Sequence, residues 1–162
     1  MKISKIFVSL SIITFIGVNN LTNAAPRNGI PECLNKLARA TSVDEDNKAP
    51  PQNATENHKA YLDASGMVNA LEVSDLEYVL KEGSPAGRVY AAVLLKQSGK
   101  VGNNLSFDKL LGDNHEVIYK SSDKVIHTTV AKIARSFIDK GAYENFSFSI
   151  FCKLMAAPKD KN

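Results

Sequence analysis

The stretch from Ser84 to Gly99 constrains the fold more than any other part of this chain. Ser84 is a favoured helix N-cap, and Pro85 stands at the first helical position, where its missing N–H removes nothing. Gly99 supplies the stop. Between them the chain is apolar over most of a helix circumference. Val89, Ala92 and Val93 mark one side, beside Lys96, and Tyr90, Leu94, Ala91 and Leu95 continue around it. A helix of that kind must be covered on all sides. Pro85–Gln97 is therefore expected to be the centre of the core. Gly87 costs helix stability relative to Ala, and its expected reason is the close approach of a neighbouring helix.

The elements around it are read from period and punctuation. Pro31 opens a helix over Glu32–Ala40, with Cys33, Leu34, Leu37 and Ala38 on one face. Residues 41–55 hold Asp44-Glu45-Asp46 and Pro50-Pro51 with almost nothing apolar to bury, which predicts a mobile surface loop. Thr55 caps a second helix through Ala64. Ser74-Asp75-Leu76-Glu77 has the form of a capping box for a helix Asp75–Glu82, stopped by Gly83. Ser106 caps a short helix, Phe107–Leu111. The period then changes to β-branched runs, Glu116–Tyr119 and Lys124–Thr128, around Ser121-Ser122-Asp123, which predicts an antiparallel β-hairpin. Thr129 caps a helix Val130–Lys140 ended by Gly141. Phe146–Ile150 alternates and would add a third strand to the hairpin, with a final helix over 145–156 as the competing reading. The fold class expected is mainly α within α+β: a single-domain helical bundle with a central buried helix and a short hairpin.

The first 24 residues set the compartment. Lys2 and Lys5 precede an apolar run, Ile6–Val18, and Thr22-Asn23-Ala24 offers small residues for cleavage. This has the form of a secretory signal peptide with cleavage near Ala24. The run is about 13 residues, short of the ~20 that a spanning helix needs, and Asn19 and Asn20 follow at once. A retained anchor is the alternative. No later segment is apolar enough to span. The remainder, about 137 residues, suits one secreted or periplasmic domain. Without Lys2 and Lys5 it carries 18 basic against 17 acidic residues, mixed along the chain, which gives no footing for nucleic-acid binding. Cys33 and Cys152 are the two cysteines, and in an exported chain they are expected to pair and pin the two ends together. The alternative is that each thiol is a small buried hydrophobe.

The block Leu80 to Leu95, with its Ser-Pro-Ala-Gly-Arg-Val-Tyr core, resembles the central helix of small uncharacterised exported bacterial proteins. The stretch Val125 to Gly141 is similar to a second block in them. The resemblance implies a bacterial envelope setting. It carries no activity and assigns no residue a role.

Chemistry-bearing motifs are sparse. His58, His115 and His127 are the three histidines, and no two stand at helical metal-pair spacing. There is no Gly-x-Ser-x-Gly, no phosphate loop and no Cys-x-x-Cys. No catalytic residue, metal or cofactor is expected. Ser84, Gly87 and Arg88 form a candidate anion or ligand site, because a helix start presents free N–H groups. The alternative there is a capped core helix with a surface arginine. The leading functional expectation is a non-enzymatic binding protein, of inhibitor or immunity type, whose partner is another protein. Its interface would draw on exposed Tyr61, Tyr90, Tyr119 and Tyr143. The alternatives are a hydrolase using His127 or His115, and a small-ligand or anion carrier at Ser84–Arg88.

Overall fold

The computed structural model describes residues 27–45, 54–102, 105–121 and 123–147. The leader expected to be a signal peptide, Cys152 and Phe148–Ile150 lie outside the described residues. Among the described residues eleven elements follow one another: α1 (Glu32–Ala38), β1 (Ser42–Asp44), α2 (Glu56–Gly66), α3 (Val73–Glu82), α4 (Pro85–Ser98), α5 (Leu105–Asp108), β2 (Glu116–Lys120), β3 (Val125–Thr129), α6 (Val130–Lys140), β4 (Ala142–Tyr143) and β5 (Phe146–Ser147). The fold is α+β. Among the described residues no helix is long and apolar enough to cross a membrane.

Helix α4 is the centre that its composition demands. It is buried from Ala86 through Leu95, apart from Arg88, and contacts all five other helices together with β1 and β2. The local signals at both ends hold. Ser84 Oγ accepts from Gly87 N–H at 3.0 Å, and Gly99 takes the left-handed conformation at φ 63°. Thr55 and Thr129 likewise cap α2 and α6, accepting from the N–H of His58 at 3.2 Å and of Lys132 at 3.3 Å. An aromatic chain threads the core beside α4. Tyr90 packs on Tyr61 at 5.2 Å and edge-on to Phe146 at 6.0 Å, Phe146 meets Phe137 at 5.7 Å, and Phe137 stacks on Phe107 at 4.9 Å.

Other expectations are corrected. Helix α3 starts at Val73, with Glu72 in the capping position and no side-chain cap. Ser74 is thus already inside the helix, and the capping box does not form. Half-buried Val73 packs against the core, which favours the earlier start. Gly83 ends α3 in an extended conformation rather than a left-handed one. Glycine is required there because a Cβ would sit 2.4 Å from Val79 O. Ser106 is also inside its helix, and its hydroxyl donates to Ala92 O at 3.0 Å, tying α5 to α4.

The largest correction concerns the sheet. Strands β2 and β3 pair antiparallel, with Ile118 opposite His127. The third strand comes from the region read as a mobile loop. β1 pairs parallel to β2, with Val43 opposite Tyr119, giving a mixed sheet of order β1-β2-β3. Ser42, Val43, Asp44 and Glu45 are all buried, while residues 46–53 lie outside the described residues. β5 pairs instead with β4 in a separate two-stranded sheet. The helices pack around α4, and α2, α4 and α6 reach the mixed sheet, so the arrangement is not a bundle.

The buried carboxylates of this shelf are answered by side chains from distant segments. Thr55 Oγ1 donates to Asp44 Oδ2 at 2.6 Å, and Asn57 Nδ2 donates to the same oxygen at 3.3 Å. Asp44 N–H donates to Tyr90 Oη at 2.6 Å, His58 Nδ1 lies 3.0 Å from Asp44 O, and Tyr119 Oη donates to Glu45 Oε2. Asp44 Oδ1 makes no hydrogen bond. Burial pushes the phenols of Tyr61, Tyr90 and Tyr119 above the usual tyrosine range; at Tyr119 the neighbouring Glu45 carboxylate adds to the rise.

Candidate functional site

One open cleft of about 1030 Å³ lies between α3, α4, the turn after α5 and the start of β2. Its apolar floor includes Leu80 and Leu110. Charged side chains of both signs surround it: Glu77 and Lys81 from α3, Arg88 from α4, Lys109 after α5, and Asp113, His115 and Glu116 at the entrance to β2. Arg88 is the residue through which the central helix reaches this cleft.

The charges are paired. Arg88 Nη1 stands 2.7 Å from Asp113 Oδ2, with the two side chains 17% and 9% exposed. The contact is an ion pair off the hydrogen-bonding line, since neither Asp113 Oδ2 nor Arg88 Nε makes a hydrogen bond. Asp113 Oδ1 takes His115 Nδ1 at 2.7 Å and the His115 N–H at 3.1 Å. Asp113 thus joins a half-buried cation to an exposed imidazole. Lys109 pairs with Glu77 at 3.0 Å across the cleft mouth, and His127 Nδ1 lies 2.6 Å from Glu116 Oε1 on the outer sheet face.

The loop that presents Asp113 and His115 is held by the next helix. Asp113 O accepts from Ala131 N–H at 2.8 Å, and His115 O accepts from Val130 N–H at 3.1 Å. The otherwise unpaired donors at the start of α6 therefore fix the loop, as helix-end donors need partners. In each histidine–carboxylate pair one imidazole nitrogen is engaged by the carboxylate, which orients the ring as a general base requires. The lining residues include no hydroxyl or thiol. No group of three or more His, Cys, Asp or Glu among the described residues is arranged to hold a metal.

The residues singled out from sequence fall in several places. Ser84 and Gly87 belong to a buried joint. The Ser84 hydroxyl donates to Ala40 O at 2.6 Å, and its N–H donates to Ala38 O at 2.8 Å. A Cβ on Gly87 would lie 2.5 Å from Leu37 O, so the expected close helix approach is real. The carbonyl end of α1 thus answers the N–H end of α4, where an anion would otherwise sit. Of the three, Arg88 alone lines the cleft. Tyr61, Tyr90 and Tyr119 are buried, at 3%, 0% and 0% exposure, and form no exposed patch; Tyr143 is half-buried against Tyr119. Their apolar rings serve the core, and the hydroxyls of Tyr61, Tyr90 and Tyr119 find hydrogen-bond partners. Cys33 is buried with Sγ 3.9 Å from Met67 Sδ, and burial raises its thiol pKa. Its expected partner, Cys152, lies outside the described residues.

From the sequence, Asp113 groups with His115 and Glu116 as possible loop ligands, the alternative being a solvated loop; its pairing with Arg88, and Glu77, Lys81 and Lys109 as the rim, were missed. The available signal was Asp113 beside His115 after the Gly112 stop. Nothing local joined that pair to Arg88. No protein-family model, curated protein or solved structure matches the chain.

Proposed function

We propose that this is an exported, non-enzymatic binding protein of the bacterial periplasm or envelope, of inhibitor or immunity type, whose partner is another protein seated in the charged cleft. The observation that carries the reading is the cleft itself: wide, open, mixed in charge, with an apolar floor and no hydroxyl or thiol among its lining side chains. A surface of alternating signs suits a protein segment that exchanges its own charges for the existing ion pairs, which sets register and specificity. The leader-like first 24 residues and the similarity of the Leu80–Leu95 block to exported bacterial proteins support the compartment. A Cys33–Cys152 disulfide belongs to the same reading, as the clamp between the two ends of the domain.

The test is capture from the source cell's extract and culture fluid, with wild-type protein beside a Lys81→Glu/Lys109→Glu variant. Both lysines are exposed, at 83% and 49% of their side chains, so the reversal leaves the core untouched. The expected result is one saturable protein partner, bound at least tenfold more weakly by the variant. A partner held equally by both places the interface elsewhere, and no saturable partner overturns the reading.

A second reading is hydrolysis with His115 or His127 as general base to a water molecule. It is favoured by the two histidine–carboxylate pairs at 2.7 and 2.6 Å. It requires His115→Ala or His127→Ala to abolish a hydrolytic activity while the melting temperature stays unchanged.

A further inference from the structure

Strand β3 is an edge of the mixed sheet. Two backbone bonds bracket its ladder with β2. Ser121 N–H donates to Lys124 O at 2.9 Å at the turn, and Val130 N–H donates to His115 O at 3.1 Å at the far end. Hydrogen-bonded pairs alternate along an antiparallel ladder. Ile126 opposite Tyr119 and Thr128 opposite Val117 therefore complete the pairing inward. The N–H and C=O of Val125 and His127, and the N–H of Thr129, point away from the sheet. Val125 is 61% exposed and the His127 side chain 65%. The edge carries no proline, no bulge in the register and no strand beyond it among the described residues, and its only protections are its five-residue length and Lys124 at its start.

We propose that β3 is a self-association edge, pairing antiparallel with β3 of a second copy about a two-fold axis at His127. A second copy is the occupant because the edge is complementary to itself. Centred on His127, the pairing lets each His127 exchange N–H and C=O with its counterpart. Each Thr129 N–H reaches the opposite Val125 C=O, for about four hydrogen bonds in all. Val125 then stands beside Thr129 of the second copy, a β-branched pair of the kind that stabilises sheets. The charges agree as well. The neighbouring strand β2 has Glu116 exposed at one end and Lys120 exposed at the other. Two-fold apposition places the Lys120 end of one sheet toward the Glu116 end of the other, so the outer corners do not repel. At the axis each imidazole is backed by its own Glu116 carboxylate at 2.6 Å. A five-residue pairing covers far less than the ~1,600 Å² of a standard interface, so the dimer is weak, with a Kd of about 100 µM.

Sedimentation across concentration, paired with amide hydrogen exchange, tests this on the purified protein. The His127 amide is expected to exchange more slowly as concentration rises, while the Ile126 amide, bonded within the protomer, stays protected throughout. His127→Pro removes an outward N–H and no bond to β2, and should raise the dimer Kd at least tenfold. If His127→Pro disturbs the fold, the exchange measurement on the wild-type protein decides alone. A protein monomeric to about 1 mM overturns the proposal. A dimer in which His127 exchange is independent of concentration, or a folded His127→Pro protein that dimerises as wild type, also overturns it.

Discussion

Two places where α4 meets the N-terminal part of the chain behave differently. At the joint with α1, Ser84 caps α4 and Gly87 lets the Leu37 and Ala38 backbone approach. At the shelf with β1, Tyr90 Oη accepts from Asp44 N–H inside the core, and the Asp44 and Glu45 carboxylates are buried beside it. The joint rests on backbone sterics and one hydroxyl. The shelf rests on buried polar groups, most of which are answered by partners, Asp44 Oδ1 being the exception. A steric joint fails through a single added methyl group, whereas a polar shelf should fail by degrees, one hydrogen bond at a time.

Gly87→Ala should produce the largest loss, about 3 kcal/mol, because a backbone carbonyl 2.5 Å from the new Cβ cannot rotate away. Denaturant unfolding with unchanged slope checks this, and a loss below about 1 kcal/mol would mean that α1 slides freely over α4. Tyr90→Phe comes next, at about 2 kcal/mol, since it strands the buried Asp44 N–H without its acceptor. If Tyr90→Phe equals or exceeds Gly87→Ala, the ranking of the two regions is reversed.

The shelf also predicts a pH response that the joint lacks. Tyr61, Tyr90 and Tyr119 have folded-state pKa values raised above the ordinary value near 10, so their contribution is complete below that pH. Above pH 10 the unfolded chain loses protons that the folded chain keeps, and stability falls as pH rises. Each such tyrosine contributes a slope of up to about 1.4 kcal/mol per pH unit. Thermal melts from pH 8 to 11 should show a plateau and then a decline, made shallower by Tyr119→Phe. Ser84→Ala should cost about 1 kcal/mol through loss of the cap, with no change in that alkaline slope. His115→Ala, at an exposed ring of the cleft, should shift stability by less than about 0.5 kcal/mol.

How much was legible follows from the range of each signal. Ser84-Pro85, Thr55, Thr129, Gly99 and Gly141 act within one helical turn, and each sits at the helix end its chemistry suggests. The β2–β3 pairing was legible because its two runs are adjacent and β-branched. Asp44-Glu45 read as a solvated acidic loop because the residues that make burial tolerable, Thr55, Asn57, His58, Tyr90 and Tyr119, are scattered along the chain. The tyrosines read as surface candidates for the same reason. The cleft was least legible, since Arg88 and Asp113 are 25 residues apart and meet only when α4 and the β2 entrance pack together.

By itself the sequence determined where α4 begins and ends, that it must be buried, and that a glycine within it marks a close approach. Those outcomes depend on local backbone geometry and on apolar area, which are properties of neighbouring residues. Tertiary structure alone decided that β1 joins the sheet in parallel, that three tyrosines turn inward, and that Asp113 gathers Arg88 and His115 into one cleft. Burying a polar group costs least beside its partner, and partners distant in the chain are brought together by packing.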